Sequence, residues 1–190
     1  MKTQAYINGE WVSLSEKFLV NNPASFPSPE SKIVEVSSAD RSQFADAISA
    51  ANTAFTSFKK TTGRYRSELL LNLYQLMKEN EEDLAKLIVL ENGKPMADAL
   101  GEIKYSSSFF QWFSEEAPRL DGHIIQSANS DHRIMSLRQP IGVCGIITPW
   151  NFPLAMIARK FGAAVAAGCT TVIKPAGETP LSALALAHLL

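Results

Sequence analysis

Between about residues 40 and 117 the apolar positions of this chain recur at steps of three and four, the period of amphipathic helices; on either side they fall into short alternating or continuous runs that read as strands. At the start, "AYINGEWV" predicts a small hairpin turning on Asn8 and Gly9, because that dipeptide takes the positive φ angles a tight turn needs. The loop "NNPASFPSPES" and the strand "KIVEV" follow. Ser37 or Ser38 is expected to cap the first helix, whose stripe of Phe44, Ile48, Ala51, Phe55 and Phe58 reads as core packing. A second helix is predicted from about Thr62, with Tyr65, Leu69, Leu73, Leu76 and Met77 inward, and a third carries Leu84, Leu87 and Ile88 until Asn92-Gly93 stops it. From Pro95 a fourth helical pattern runs through Leu100, Ile103, Phe110 and Phe113, with Glu102, Glu115 and Glu116 on the surface, and Pro118 interrupts it.

The rhythm then changes. "HIIQSA" and "RIMSLRQ", separated by the polar "NSD", predict a protruding hairpin whose edge can pair with another subunit. After it, "IGVCGIIT" is a nearly continuous apolar strand, "PLAMIARKFGAAVAAG" a helix, "CTTVIK" a strand and "TPLSALALAHLL" a helix. Strand, helix, strand, helix is the signature of a parallel α/β sheet. The fold expected is therefore α/β: a mainly helical layer over residues 1–121, a hairpin over 122–140 and the first part of a parallel, Rossmann-like sheet over 141–190.

Composition narrows the function. With 190 residues, 46% of them hydrophobic and 19% charged, the chain is long enough for a real core. The 18 Lys and Arg and 19 Asp and Glu give a net charge of -1 without any basic block, so a nucleic-acid partner is not expected. No run approaches the roughly 18 apolar residues of a membrane span, and the first residues lack a signal-peptide core, so a cytoplasmic location and no membrane partner are expected. Cys144 and Cys169 form neither a CxxC nor a zinc pattern and are read as structural, and His123, His132 and His188 have no ligand-like spacing, so no metal is expected. Neither GxGxxG nor GxxxxGK[ST] occurs, so a nucleotide site would have to be built without those loops.

Parallel sheets bind ligands beyond the carboxyl ends of their strands, which here read "TPWN" and "KPAGETP". In "ITPWNFPLAMIARK" two prolines stiffen the backbone on both sides of Trp150 and Asn151. Pro153 also suits a first helical turn. An amide held that firmly can donate to an oxygen that becomes negative, and a strand-end lysine such as Lys174 can hydrogen-bond a ribose or phosphate. The same residue types also serve plainer ends, with Asn151 capping the following helix and Lys174 solvated.

Taken together, "GVCGIITPWNFPLAMIARK" and "GCTTVIKPAGETPLSALALA", with "YINGEWV", "LENGKPMADALGEIKY" and "WFSEEAPR", resemble the aldehyde dehydrogenase superfamily, and within it the succinate-semialdehyde dehydrogenase branch. The resemblance implies NAD- or NADP-dependent oxidation of a small aldehyde in a homo-oligomeric enzyme, a dimer or tetramer. It implies that Asn151 stabilises the oxyanion, that Ile147, Thr148, Pro149 and Trp150 wall the cofactor, and that Lys174 binds its ribose with Pro175, Ala176 and Gly177 lining the adenosine site. NAD-preferring relatives often carry Glu where this chain has Gly177, which leaves room for a 2'-phosphate. Arg159, off the apolar stripe of Leu154, Ile157, Ala158, Phe161 and Val165, matches the residue that contacts a substrate's distal carboxylate; the alternative for it is a surface ion pair.

The nucleophilic Cys and general-base Glu of such enzymes are expected in sequence beyond Leu190, and the 190 residues alone are expected to be inactive and to aggregate or seek partners. Two alternatives stay open at this stage: a non-catalytic interaction module derived from the same family, and a dehydrogenase for another small aldehyde such as lactaldehyde.

Overall fold

A computed structural model describes residues 2–190. The chain opens with β1 (Ala5–Ile7) and β2 (Glu10–Val12), antiparallel about a turn in which Asn8 and Gly9 have φ of 54° and 80°. A second antiparallel pair follows, β3 (Lys17–Asn21) with β4 (Lys32–Ser37). The sequence predicts β4 but not β3, because Phe18, Leu19 and Val20 are apolar in a row; in the structure Phe18 and Val20 turn inward and Leu19 outward.

Four helices come next. In α1 (Arg41–Phe58) the cap is Asp40 rather than Ser37 or Ser38: its carboxylate accepts from Ser42 N at 2.6 Å and Gln43 N at 3.2 Å, and the Gln43 side chain accepts from Asp40 N at 2.8 Å. Ser37 stays in β4, where its hydroxyl accepts from Leu14 N. The α1 stripe does not form core either. Ile48 is exposed and no α1 residue is fully buried: Phe58 packs against the core, but Phe44, Ala51 and Phe58 also line an open groove of about 650 Å³.

Helix α2 (Gly63–Glu79) starts where expected, with Thr62 Oγ1 accepting from Tyr65 N. Its buried face is Arg66, Leu70, Leu73 and Met77: Leu73 and Met77 lie inward as predicted, while in the first two turns the stripe is shifted by one residue and Tyr65 and Leu69 are exposed. Helix α3 (Glu81–Asn92) ends on Gly93 in the left-handed conformation, φ 77°, as Asn92-Gly93 suggested. Helix α4 (Met96–Glu116) is the hub: α2, α3 and the later α5 (Ala155–Ala166) all pack on it. Phe110 is fully buried there, edge-on to Phe161. The approach of α4 and α5 needs a glycine, since a Cβ on Gly162 would lie 2.9 Å from the Phe113 ring. Glu102 is buried, contrary to the surface position expected for it.

Beyond α4 the hairpin of β5 (His123–Gln126) and β6 (Arg133–Ser136) stands exposed along both strands. Then β7 (Val143–Ile147) and β8 (Thr170–Lys174) pair in parallel, Val143 opposite Thr170 and Ile147 opposite Lys174, joined by α5. Helix α6 (Leu181–Leu189) follows β8. The βαβα unit read from the sequence is thus present. Its sheet is only half covered: Ile146 is buried while Ile147 is 75% exposed, which a continuous apolar run did not foretell. Helices α1 and α5 both lie on these strands, and Thr170 Oγ1 donates to Ala51 O at 2.8 Å to fasten α1.

Truncating Phe110 empties the junction of α4 and α5, so Phe110→Ala is expected to cost about 3–5 kcal/mol in urea denaturation. Trp112→Ala, one helical step away but 61% exposed, is expected to stay within about 0.5 kcal/mol of the parent.

Candidate active site

The carboxyl ends of the parallel strands bring two candidate segments side by side. Ile147 pairs with Lys174, and Thr148 N donates to Lys174 O at 3.3 Å, so residues 147–151 and 174–177 leave the sheet together. Thr148 is buried, whereas Pro149, Trp150 and Asn151 are exposed. The Lys174 ammonium is exposed and reaches only Pro175 O, at 3.3 Å, with no carboxylate partner among the described residues. Lys174, Pro175, Ala176 and Gly177 line the 650 Å³ groove beside α1, which Ile147 to Asn151 do not reach. Arg159 is exposed on α5, outside that groove, and makes no ion pair among the described residues. Gly177 has room for a side chain, the nearest atom to a Cβ there being a Phe18 ring carbon at 4.0 Å.

Asn151 does not cap α5. No side chain at the start of α5 itself does so; its N–H groups are taken by Glu102, reaching across from α4. Glu102 Oε1 accepts from Leu154 N at 3.0 Å and Ala155 N at 3.3 Å. Its other oxygen pairs with Lys94 Nζ at 2.5 Å, the carboxylate being fully buried and the lysine nearly so. The same ammonium donates to Asn151 O at 3.1 Å and stands 4.0 Å from the centre of the Phe152 ring. One residue earlier, Trp150 O accepts from Asn92 Nδ2 at 2.9 Å and from Thr179 Oγ1 at 3.4 Å. Both elbow carbonyls thus point into the protein.

A matching arrangement holds α6. Glu91, buried at the end of α3, accepts from Leu181 N at 2.6 Å, from Ser182 N at 2.8 Å and from the Ser182 hydroxyl. Burial pushes its carboxyl up to about 7, against the pull of those three donors and with Glu102 adding to the rise. Sequence reasoning missed Glu91, Asn92, Lys94, Glu102 and Thr179 as site residues. A signal existed for Glu102: it sits three residues after Ala99 and four before Ser106, on the stripe that faces inward. For Glu91, Asn92 and Lys94 only the compact "ENGK" before Pro95 hinted at a role, while Thr179 lies within the strand-end segment "KPAGETP".

Cys169 is buried, and burial pushes the Cys144 thiol up, with Cys169 beside it adding to the shift. No cluster of three metal-ligating side chains occurs among the described residues, and no helix is long and apolar enough to cross a membrane.

A family model described as "Aldehyde dehydrogenase family" matches residues 11–190. The chain belongs to the aldehyde dehydrogenase family. It is 51% identical over 189 residues to succinate-semialdehyde dehydrogenase [NADP(+)] of Saccharomyces cerevisiae, covering 99% of this chain and 37% of that enzyme. It is 47% identical over 190 residues to succinate-semialdehyde dehydrogenase [NADP(+)] GabD of Escherichia coli, covering 99% of the chain and 39% of the relative. Among solved structures, succinate-semialdehyde dehydrogenase from Burkholderia pseudomallei superposes with a TM-score of 0.93 at 44% identity, over 98% of this chain and 38% of that one. The chain therefore spans well under half the length of the relatives it matches, and the aldehyde dehydrogenase fold is present in part.

Because Glu91 is raised from 4.5 to about 7 on folding, the native state holds its proton where the unfolded chain has lost it. The contribution is fully present below 4.5 and is lost as pH rises through about 7. Urea titrations of the parent and of Glu91→Gln are expected to show the parent's advantage shrinking over this window, by a total on the order of 3 kcal/mol. A difference that stays flat with pH would contradict it.

Proposed function

We propose that this chain supplies the cofactor-facing part of an NAD(P)-dependent aldehyde dehydrogenase acting on succinate semialdehyde. One observation supports the reading above the rest: the Asn151 side chain is exposed at the end of β7 while its flanking carbonyls are held inward, beside the strand end that carries Lys174. A polar side chain left free on a braced backbone is suited to a task outside the fold.

The groups here fit a dinucleotide. An unpaired strand-end ammonium borders an open groove, and Gly177 leaves the space beside it unfilled, so Lys174 would hydrogen-bond a ribose while Pro175 to Gly177 line the adenosine. When bound, NAD(P) supplies the acceptor for the hydride that leaves the aldehyde carbon. Ile147 to Trp150 would wall it at the neighbouring strand end, and the absence of a carboxylate at Gly177 suits NADP, the cofactor named for the yeast and E. coli relatives.

For the aldehyde, Asn151 would donate its amide N–H to the carbonyl oxygen. That oxygen becomes anionic only as a nucleophile adds to the carbon, so a pre-aimed donor lowers the barrier without tightening the ground state. Arg159, exposed on α5 and without an ion pair among the described residues, would fork onto the distal carboxylate of a semialdehyde. The nucleophile and the base that activates water belong to another part of the enzyme, since neither thiol here is poised to attack. The exposed hairpin, with Ile124 and Met135 uncovered, would dock on a second subunit.

The test is a chimera in which residues 1–190 replace the matching span of the E. coli relative. Asn151→Ala is expected to lower kcat by roughly 100- to 1000-fold with little change in KM. Arg159→Met is expected to raise KM for succinate semialdehyde more than for an uncharged aldehyde, and Gly177→Glu to shift preference from NADP to NAD. The 190 residues alone are expected to form no NAD(P)H with succinate semialdehyde. Turnover by them, or an Asn151→Ala chimera as active as its parent, would overturn the reading.

A further inference from the structure

We infer that Asn92, Lys94 and Thr179 form a latch that aims Asn151, and that they are positioning residues for the reaction proposed above, on which this inference rests. A peptide unit is planar, so a hydrogen bond that holds its carbonyl oxygen restrains the tilt of the whole plane. The plane preceding the Asn151 Cα carries Trp150 O, taken by Asn92 Nδ2 at 2.9 Å and Thr179 Oγ1 at 3.4 Å. The plane following it carries Asn151 O, taken by Lys94 Nζ at 3.1 Å. With both planes restrained, φ and ψ of Asn151 are confined to a narrow range and so is the direction of its Cα–Cβ bond. Only the side-chain torsions remain free.

The donors come from elements that cannot drift independently. Asn92 closes α3, Lys94 lies two residues on across Gly93, and Thr179 precedes α6. Lys94 is in turn held by Glu102, whose second oxygen caps the helix that leaves the elbow. A direct electrostatic role for Lys94 on the substrate oxygen is the weaker account. Its side chain is only 12% exposed, its charge is paired with Glu102 at 2.5 Å and its ammonium lies against the Phe152 ring, so little of its field reaches the opening. It acts by placing the amide.

The latch can be read apart from turnover. In the 190-residue chain, nitrogen-15 relaxation of the Asn151 side-chain amide and of backbone amides 150–152 reports the elbow, while β7 and α5 amides report the fold. Asn92→Ala and Lys94→Met are expected to disorder the Asn151 side-chain amide and lower the order parameters of amides 150–152 from the rigid value of about 0.85 to below about 0.6, with β7 unchanged in both and α5 unchanged in Asn92→Ala. In the chimera each is expected to lower kcat, by up to about 100-fold, with KM for aldehyde and cofactor within about twofold. Adding Lys94→Met to Asn151→Ala is expected to cost nothing further, since a misplaced donor and a missing one fail alike.

An Asn151→Ala chimera of undiminished kcat would overturn the role given to Asn151, and with it the catalytic purpose of the latch. If Asn151→Ala is impaired while Asn92→Ala and Lys94→Met leave both the order of the amide and kcat unchanged, the latch itself is refuted and the oxyanion role stands. Should Lys94→Met unfold the chain, Asn92→Ala at its half-exposed site and Thr179→Val carry the same two readouts.

Discussion

The first N–H groups of α5 and α6 find no side-chain cap within their own segments, and each pair is met instead by a buried carboxylate from the helical layer. Glu102 serves Leu154 and Ala155, and Glu91 serves Leu181 and Ser182. A carboxylate at a helix N-terminus answers both the unpaired donors and the positive end of the dipole, and in a dry setting it is costly to remove. These bonds span 52 to 53 and 90 to 91 residues of sequence, so they are the joints between the α2–α4 layer and the βαβα unit. The elbow at the end of β7 inherits its rigidity from them.

Burying two carboxylates in one region has a cost, and the structure meets it differently in each. Glu102 has a lysine within a short hydrogen bond and remains matched in charge. Glu91 has neutral donors only, and its carboxyl is pushed up by burial. Burial of ionised groups without a partner is the more expensive choice, which is why the unpaired one shifts toward its neutral form.

How far the sequence foretold this depends on the kind of signal each part carries. The hairpin at Asn8-Gly9, the stop at Gly93, the break at Pro118 and the parallel βαβα order rest on local backbone chemistry and were legible. The inner face of α2 was misplaced because a window of leucines, Leu69 to Leu71, fits more than one stripe, and Arg66 buries its stem where an apolar residue was expected. The α1 stripe has the right period but faces a groove, and periodicity reports an apolar face without saying what covers it. Of the site, the candidates at the strand ends followed from the rule that parallel sheets present ligands there, whereas Glu91, Asn92, Lys94 and Glu102 act over long sequence distances on groups that only the fold brings near.

The connection between α3 and α4 is three residues, Gly93 to Pro95, and Asn92 just before it and Lys94 within it both donate to the elbow. A Cβ on Gly93 would come within 2.9 Å of Pro23, so the turn is pressed against the N-terminal loop as well. A longer bend would carry Lys94 away from the Asn151 carbonyl and from Glu102, since all three meet only while α3 stops where it does. The shortness of this bend is therefore itself part of what keeps the strand-end amide in place.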